Sequence, residues 1–280
     1  MRIAVLGAGG VGGLVAAALA RDGTDTTVVA REETARVLGL EGLHVTSAVL
    51  GDFAVRPRVT ARLEQPVDVL LVATKAAGLA EGLDRVAAEP ALAVPLLNGV
   101  EHMATLRERF THVAAGAIRV ESTRVGTGRI LHTSGFLRVD VAGPGVEPLA
   151  GALRRASIPT EVRATEAEVL WGKLARLNAL ALVTTAYGTL GEARAHPEAI
   201  DGVIAETAAV AAAEGAPVDA ARVREEIAAV HPDFLASMAR DRAAGRPLEL
   251  DAIAGAVRRA GRRHGIPTPA IDALVAMIEA

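Results

Sequence analysis

The chain has 280 residues, 51% of them hydrophobic but only 2% aromatic, with a net charge of -3 and no cysteine. That length admits one large domain or two, with a core of Ala, Val and Leu. The absence of a basic block argues against nucleic acid, and the absence of cysteine excludes disulfides and thiolate metal sites, so the cytosol is the expected compartment.

Residues 2–6, Arg-Ile-Ala-Val-Leu, form a short β-branched run of the buried parallel-strand type. Gly7-Ala8-Gly9-Gly10-Val11-Gly12 follows, and a helical pattern runs from Gly13 to Arg21. Residues 3–20 carry no charge and could pass for a signal peptide or short membrane span, but the interrupting glycines fit a strand-turn-helix better. G-x-G-x-x-G between a strand and a helix is the setting of dinucleotide binding. Gly7 permits the turn, Gly9 lets the backbone approach a pyrophosphate, and Gly12 allows close helix–strand packing. The second strand, Thr26–Ala30, ends at Arg31, where an NAD-type site would place Asp or Glu. A guanidinium suits a 2′-phosphate, so NADPH/NADP+ is expected over NAD(H); otherwise Arg31 is a solvated surface cation. Glu32 and Glu33 open the next helix, where acids favour the first turn.

Residues 43–46 and 53–57 read as a stranded insertion. Val67–Thr74 is a buried strand ending at Lys75, a helix is expected over Ala76–Ala88, and Leu92–Leu97 is a strand ending at Asn98-Gly99. Only two lysines, Lys75 and Lys173, stand among 30 basic residues, and only two asparagines, Asn98 and Asn178, occur. Lys75 could be a loop lysine and Asn98-Gly99 a plain turn. Their placing at the carboxyl ends of strands, where open α/β sheets bind ligands, favours a site. Val113–Val120 is expected to continue the sheet, Arg129–His132 and Phe136–Val141 to form a hairpin, Pro144–Ser157 a helix and Thr160–Val162 a last strand. His132 reads as a satisfied strand histidine.

From Thr165 the period is helical throughout: Glu166–Ala186, Pro197–Glu214, Asp219–Val230, Asp233–Ala244, Glu249–His264 and Pro267–Ala280. The expected organisation is an α/β Rossmann-type domain over 1–164 and an all-α domain over 165–280, for substrate binding or dimerisation. The Ala-rich helices could serve a homodimer interface or pack within the domain. The seven histidines are scattered and no metal constellation is present.

The chain resembles the ketopantoate reductase (2-dehydropantoate 2-reductase) family over essentially its whole length. The likeness rests on the glycine fingerprint, Lys75, Leu97-Asn98-Gly99-Val100-Glu101, Trp171-Gly172-Lys173-Leu174, and a C-terminal block. That block runs Ser237-Met238, Asp241, Gly245-Arg246, Glu249-Leu250-Asp251, with Gly255 beyond. The resemblance implies a Rossmann domain followed by a helical domain of the 6-phosphogluconate dehydrogenase-like kind. It implies NADPH-dependent reduction of a 2-oxo acid, ketopantoate, to pantoate on the route to pantothenate and coenzyme A. By the same resemblance Lys173 is the general acid, Asn98 touches nicotinamide and substrate, Ser237 binds the substrate's polar end, Glu249 orients substrate hydroxyl or nicotinamide ribose, and Lys75 lies near the cofactor.

One departure bears on the substrate. In the family pattern asparagines commonly follow the lysine by four and eight residues, where this chain has Leu177 and Ala181, and Asn178 stands five residues on. At ~100° per residue, five residues turn a side chain ~140° away. Asn178 therefore joins a substrate site only if a one-residue π-bulge intervenes. Without one, Leu177, Leu180 and Ala181 make a pocket more apolar than ketopantoate's hydroxyl calls for. Other readings are a reductase of another branched 2-oxo acid, a dehydrogenase of a 3-hydroxy acid or polyol, and a non-catalytic NADP(H)-binding sensor.

Overall fold

The computed structural model describes residues 1–280. The chain forms two compact units, Met1–Leu97 with His102–Val169, and Asn98–Glu101 with Leu170–Ala280. In chain order the first holds β1 (Arg2–Leu6), α1 (Gly10–Arg21), β2 (Asp25–Val29), α2 (Glu32–Glu41), β3 (Leu43–Ser47), β4 (Phe53–Val55), β5 (Arg58–Thr60) and β6 (Val69–Val72). A 3-10 turn at Ala76–Gly78, α3 (Leu79–Leu83), β7 (Ala93–Pro95), α4 (His102–Arg109), β8 (Ala115–Gly126), β9 (Arg129–Ala142), α5 (Glu147–Arg155) and β10 (Thr160–Val162) follow.

Two sheets share this unit. The first is wholly parallel, in the order β5-β2-β1-β6-β7. Its central strands are apolar on both faces because both are covered. Ile3, Val5, Val69 and Leu71 join the core that includes α1, while Ala4, Leu6, Leu70 and Val72 pack with Leu83, Leu106 and Phe110. The second sheet runs β10-β9-β3-β4, with β8 paired to β9. α1 packs on β8, β9 and β3 as well as on β1 and β2, so it lies between the sheets. This explains the uncharged stretch over residues 3–20: it is one strand and one helix buried from Gly12 to Leu19.

Three expected elements differ. The helix over Ala76–Ala88 is only the 3-10 turn and five-residue α3, since Gly78 and Gly82 weaken helix formation. Residues 113–120 do not extend the first sheet beyond a single bridge at Ala93–Val113; they lead into β8 of the second. Arg129–His132 and Phe136–Val141 are not two arms of a hairpin but one strand, β9, antiparallel to β8. Gly128, at φ 72°, is the turn residue, whereas Gly135 has no positive φ and lies within the strand. His132 is buried at 1% exposure, with Nδ1 2.9 Å from Ser47 Oγ and Nε2 3.1 Å from Phe136 O, so it is the satisfied strand histidine expected.

In the second unit α6 (Glu166–Tyr187), whose first turn belongs to the first unit, is followed by α7 (Leu190–Ala193), α8 (Pro197–Ala213), α9 (Ala220–Ala228), α10 (Ser237–Ala243), a π turn at Asp251–Gly255 running into α11 (Ala256–His264), and α12 (Pro269–Glu279). Residues 233–236 stay outside the helix expected over Asp233–Ala244. Asp219 caps α9, accepting from the Ala221 and Arg222 N–H groups, and the Glu206 carboxylate accepts from Ala270 and Ile271 at the start of α12. No helix is long and apolar enough to cross a membrane.

Glu214, after α8, makes this unit acid-sensitive. Burial pushes its carboxyl up, but hydrogen bonds from His264 Nε2 at 2.9 Å and Arg263 Nη2 at 2.8 Å outweigh that and hold it below its ordinary value. A depressed folded value stabilises above the unfolded one and loses that contribution as pH falls through the folded one. Glu214→Gln should therefore lower stability near neutral pH by about 0.5–1 kcal/mol and flatten the acid limb of a denaturation-midpoint-against-pH curve.

Candidate functional site

The glycine loop of the first unit is built for a dinucleotide. Gly7 has φ 102°, and a Cβ there would meet Ala73 O at 2.9 Å, so only glycine fits between the ends of β1 and β6. Its N–H donates to Val29 O at 2.9 Å, which ties the loop to the end of β2. A Cβ on Gly12 would collide with Gly7 O, which accounts for the third glycine of the fingerprint. A Cβ on Gly9 would meet nothing within 4 Å, so this backbone is open to a ligand. Gly10 opens α1, with Gly9 as its N-cap, no side-chain cap and no acid in the first turn. Its free N–H groups and the helix dipole favour a phosphate there. Ala8 is buried and Val11 half-buried.

Gly10 has a second duty that the fingerprint does not predict. A Cβ there would strike Ser122 O of β8, and Ser122 Oγ donates to Gly10 O at 2.9 Å. The register shift between Val120 and Ser122 brings the second sheet onto the loop. Arg31 is the N-cap residue of α2; its side chain is 75% exposed, with Nε 3.6 Å from Glu81 Oε1. Lys75 is exposed just past β6, and Thr74, whose backbone borders Gly7, has a buried Oγ1 without a partner. The cradle, the bare helix end, the guanidinium at the end of β2 and this unsatisfied hydroxyl fit a nicotinamide dinucleotide.

In the second unit the structure joins two of the expected residues. Asn98 Nδ2 donates to Glu249 Oε2 at 2.9 Å across 151 residues of sequence. Gly99, at φ 87°, makes the approach possible, because a Cβ would collide with Ala252 O in the π turn. That turn stands just beyond Glu249; Ala256 N–H reaches Asp251 O, five residues back. Such insertions reposition side chains at functional sites. Beside it Arg259 donates to Glu101 Oε1 at 2.9 Å and Oε2 at 2.6 Å, and to Asp251 Oδ1 at 2.6 Å. The bonds to Glu101 and then Asp251 raise the guanidinium well above its usual value, so its charge is permanent.

Lys173 is half-buried on α6, which is regular α-helix throughout. No π-bulge lies between Lys173 and Asn178; the one π turn is at Asp251–Gly255. On this regular helix Asn178 does not share the face of Lys173, as it would with a bulge between them. It is 0% exposed, and its Nδ2 donates to Thr207 Oγ1 of α8 at 2.9 Å, in the helix-helix core. Along the face of Lys173, Leu180 and Ala181 are buried and Leu177 half-buried. Thr184, ~20° off Lys173 by helical wheel, has its hydroxyl committed, donating to Leu180 O at 2.7 Å and accepting from Ala236 N at 3.2 Å. Ser237 follows at the first position of α10, exposed. Elsewhere in the C-terminal block Arg246 Nε donates to the buried Asp241 at 2.7 Å and closes the turn at Gly245, φ 62°.

Comparison with known proteins agrees with this arrangement. The family model described as ketopantoate reductase PanE/ApbA matches residues 3–142, and that of the ketopantoate reductase PanE/ApbA C terminal matches residues 168–280. The 2-dehydropantoate 2-reductase of Caulobacter vibrioides is 31% identical over 99% of this chain and 98% of its own. The chain belongs to the ketopantoate reductase family. A ketopantoate reductase of this family from Ralstonia eutropha JMP134 superposes with a TM-score of 0.88 at 27% identity, covering 100% of this chain and 97% of that one. A D-mandelate dehydrogenase crystallised with NADH and anilino(oxo)acetate shares the fold, with a TM-score of 0.89 at 21% identity over 100% and 97% of the two chains. The protein is thus an oxidoreductase of an NAD(P)-dependent family.

Within this ketopantoate reductase scaffold, sequence reasoning missed Ser122, Thr74 and Arg259, and quoted Glu101 in a motif without seeing its partner. Ser122 and Thr74 carried no signal, since hydroxyl residues within strands and just past their ends are common. Arg259 was hidden by the abundance of arginine, although its position four residues after Gly255 was visible.

Proposed function

We propose that this chain reduces ketopantoate to pantoate with NADPH, on the route to pantothenate and coenzyme A. The observation that carries the reading is the Asn98–Glu249 hydrogen bond of 2.9 Å in the unit that bears Lys173. The dinucleotide is held through Gly7 to Gly12, Arg31 and Lys75, and when bound it supplies the hydride. Glu249 fixes the Asn98 amide and leaves its second N–H and its carbonyl for substrate and nicotinamide. The Lys173 ammonium stabilises the charge that builds on the carbonyl oxygen and then donates its proton to that oxygen. Ser237 offers an exposed hydroxyl to the substrate's polar end.

The decisive assay follows NADPH oxidation with ketopantoate and with other 2-oxo acids. Steady oxidation with ketopantoate is the expected result. Tight NADPH binding with no oxidation by any oxo acid would replace the enzyme by a sensor. A second reading, a branched 2-oxo acid without the hydroxyl, is favoured by one observation. With Asn178 in the core, the uncharged side chains one turn either side of Lys173 on α6, Leu170 and Leu177, are apolar and offer that hydroxyl no partner. A higher kcat/KM for 2-oxoisovalerate than for ketopantoate would select it.

Arg31 supports NADPH over NADH by its exposed guanidinium at the end of β2. Arg31→Ala is expected to raise the KM for NADPH about 10- to 100-fold, the loss of one charged hydrogen bond, and to change that for NADH less than about threefold. Equal changes for both cofactors would remove the 2′-phosphate role.

A further inference from the structure

We propose that Arg259 is a positioning residue for reduction, holding the Asn98 loop on Glu249 through Glu101 and Asp251; this rests on the reading of Asn98 and Glu249 given above. Asn98 stands in the loop after β7, directly before the positive-φ Gly99, and its side chain is held by one hydrogen bond, to Glu249. A lone part-buried hydrogen bond contributes about 0.5–1.5 kcal/mol, too little to keep a loop in one register. The loop's second anchor lies three residues on. Glu101 receives two bonds from Arg259, 2.9 and 2.6 Å, in the bidentate geometry that resists rotation.

Arg259 is itself locked on the turn that follows Glu249. Its Nη1 donates to Asp251 Oδ1 at 2.6 Å and its Nη2 to Asp251 O at 3.0 Å, the same carbonyl that closes the π turn. Gly255 clears the path, since a Cβ there would stand 2.6 Å from Asp251 Oδ1 and 3.0 Å from Arg259 Nη1. Gly99 clears it from the other side, against Ala252 O. One guanidinium thus bridges the loop that presents Asn98 and the turn that follows Glu249. This gives Asp251 and Gly255 a purpose: they shape the clamp and need not touch a ligand. Arg259 touches neither reacting atom. It sets the separation and orientation of the two groups that do, and small misplacements at such groups cost rate steeply.

The test combines Arg259→Ala, Arg259→Lys and Glu101→Gln with Glu249→Ala, reading kcat, KM for the oxo acid and thermal midpoint in the full chain. Arg259→Ala should lower kcat/KM at least about tenfold, and Arg259→Lys, which can hold one carboxylate but not the fork, should recover part of it. In the Glu249→Ala background, removing Arg259 should cost less than about threefold more, because the pair it positions is already broken. Full additivity, or a lowered midpoint with wild-type kcat/KM, would overturn positioning and leave Arg259 a stability residue. Should Arg259→Ala fail to fold, the same coupling is read from Glu101→Gln and Arg259→Lys. If Glu249→Ala itself keeps wild-type kcat/KM, the site reading fails, an outcome distinct from an impaired Glu249→Ala beside an unimpaired Arg259→Ala.

Discussion

Replacing Lys173 by alanine is expected to lower turnover by about 100- to 10,000-fold, the usual contribution of a positioned general acid. NADPH binding should change by less than about threefold, because the interaction is needed where charge develops and not for holding the dinucleotide. Lys173→Arg should recover only part of the loss: a guanidinium supplies charge to a nascent alkoxide but does not give up its proton. Steady-state rates with a fluorescence titration of NADPH separate the two effects, and undiminished turnover would remove the role. Asn178→Ala is the contrasting variant. Asn178 bonds to Thr207 in the core of the helical unit. Its removal should lower stability by about 1–2 kcal/mol and leave kcat/KM near wild type.

Asp140→Ala should lower stability by about 3 kcal/mol, the cost of removing the buried acid from an ion network. Asp140 lies on β9 with its side chain 3% exposed. It accepts from Arg138 Nη2 at 2.9 Å and Arg163 Nε at 3.2 Å, and from Arg119. Arg119 and Arg138 stand directly opposite each other in the β8–β9 pair. Like charges so placed repel unless an acid lies between them. Glu161, beside Asp140 on β10, offsets part of the charge, with 3.0 Å to Arg138 and 2.8 Å to Arg163. Alanine would leave Arg138 and Arg163 with one partly exposed carboxylate and take from Arg119 its buried acceptor. Asp140→Asn, which keeps the shape and one acceptor, should cost less. Thermal denaturation of the two variants checks the order, and equal midpoints for both and wild type would show the network to be neutral.

The residues of the site were legible in the chain to unequal degrees. Gly7, Gly9 and Gly12 were readable because their duties are local: a turn, an open backbone and a helix-strand contact all lie within a few residues. Lys173 stood out by scarcity in an arginine-rich chain. Asn98 stood out by scarcity at the carboxyl end of a strand and Glu249 through family likeness, yet nothing local shows that they bond. Asn178 was the doubtful residue, and the register argument held: on a regular helix it faces away from Lys173.

The sequence by itself determined the strand-turn-helix at the N-terminus, the Rossmann half and the change to helices near residue 165. Each is written in short-range period and in glycine placement, which act within one or two elements. Only the tertiary structure decided that β8 and β9 build a second sheet against α1, and that Gly10 must stay bare for Ser122. It alone showed that Arg259 ties the Asn98 loop to the turn after Glu249. Those facts depend on pairs separated by a hundred residues or more, and periodicity carries no information about which distant partners meet. The lysine was visible from the start; the frame that positions the groups around its chemistry was not.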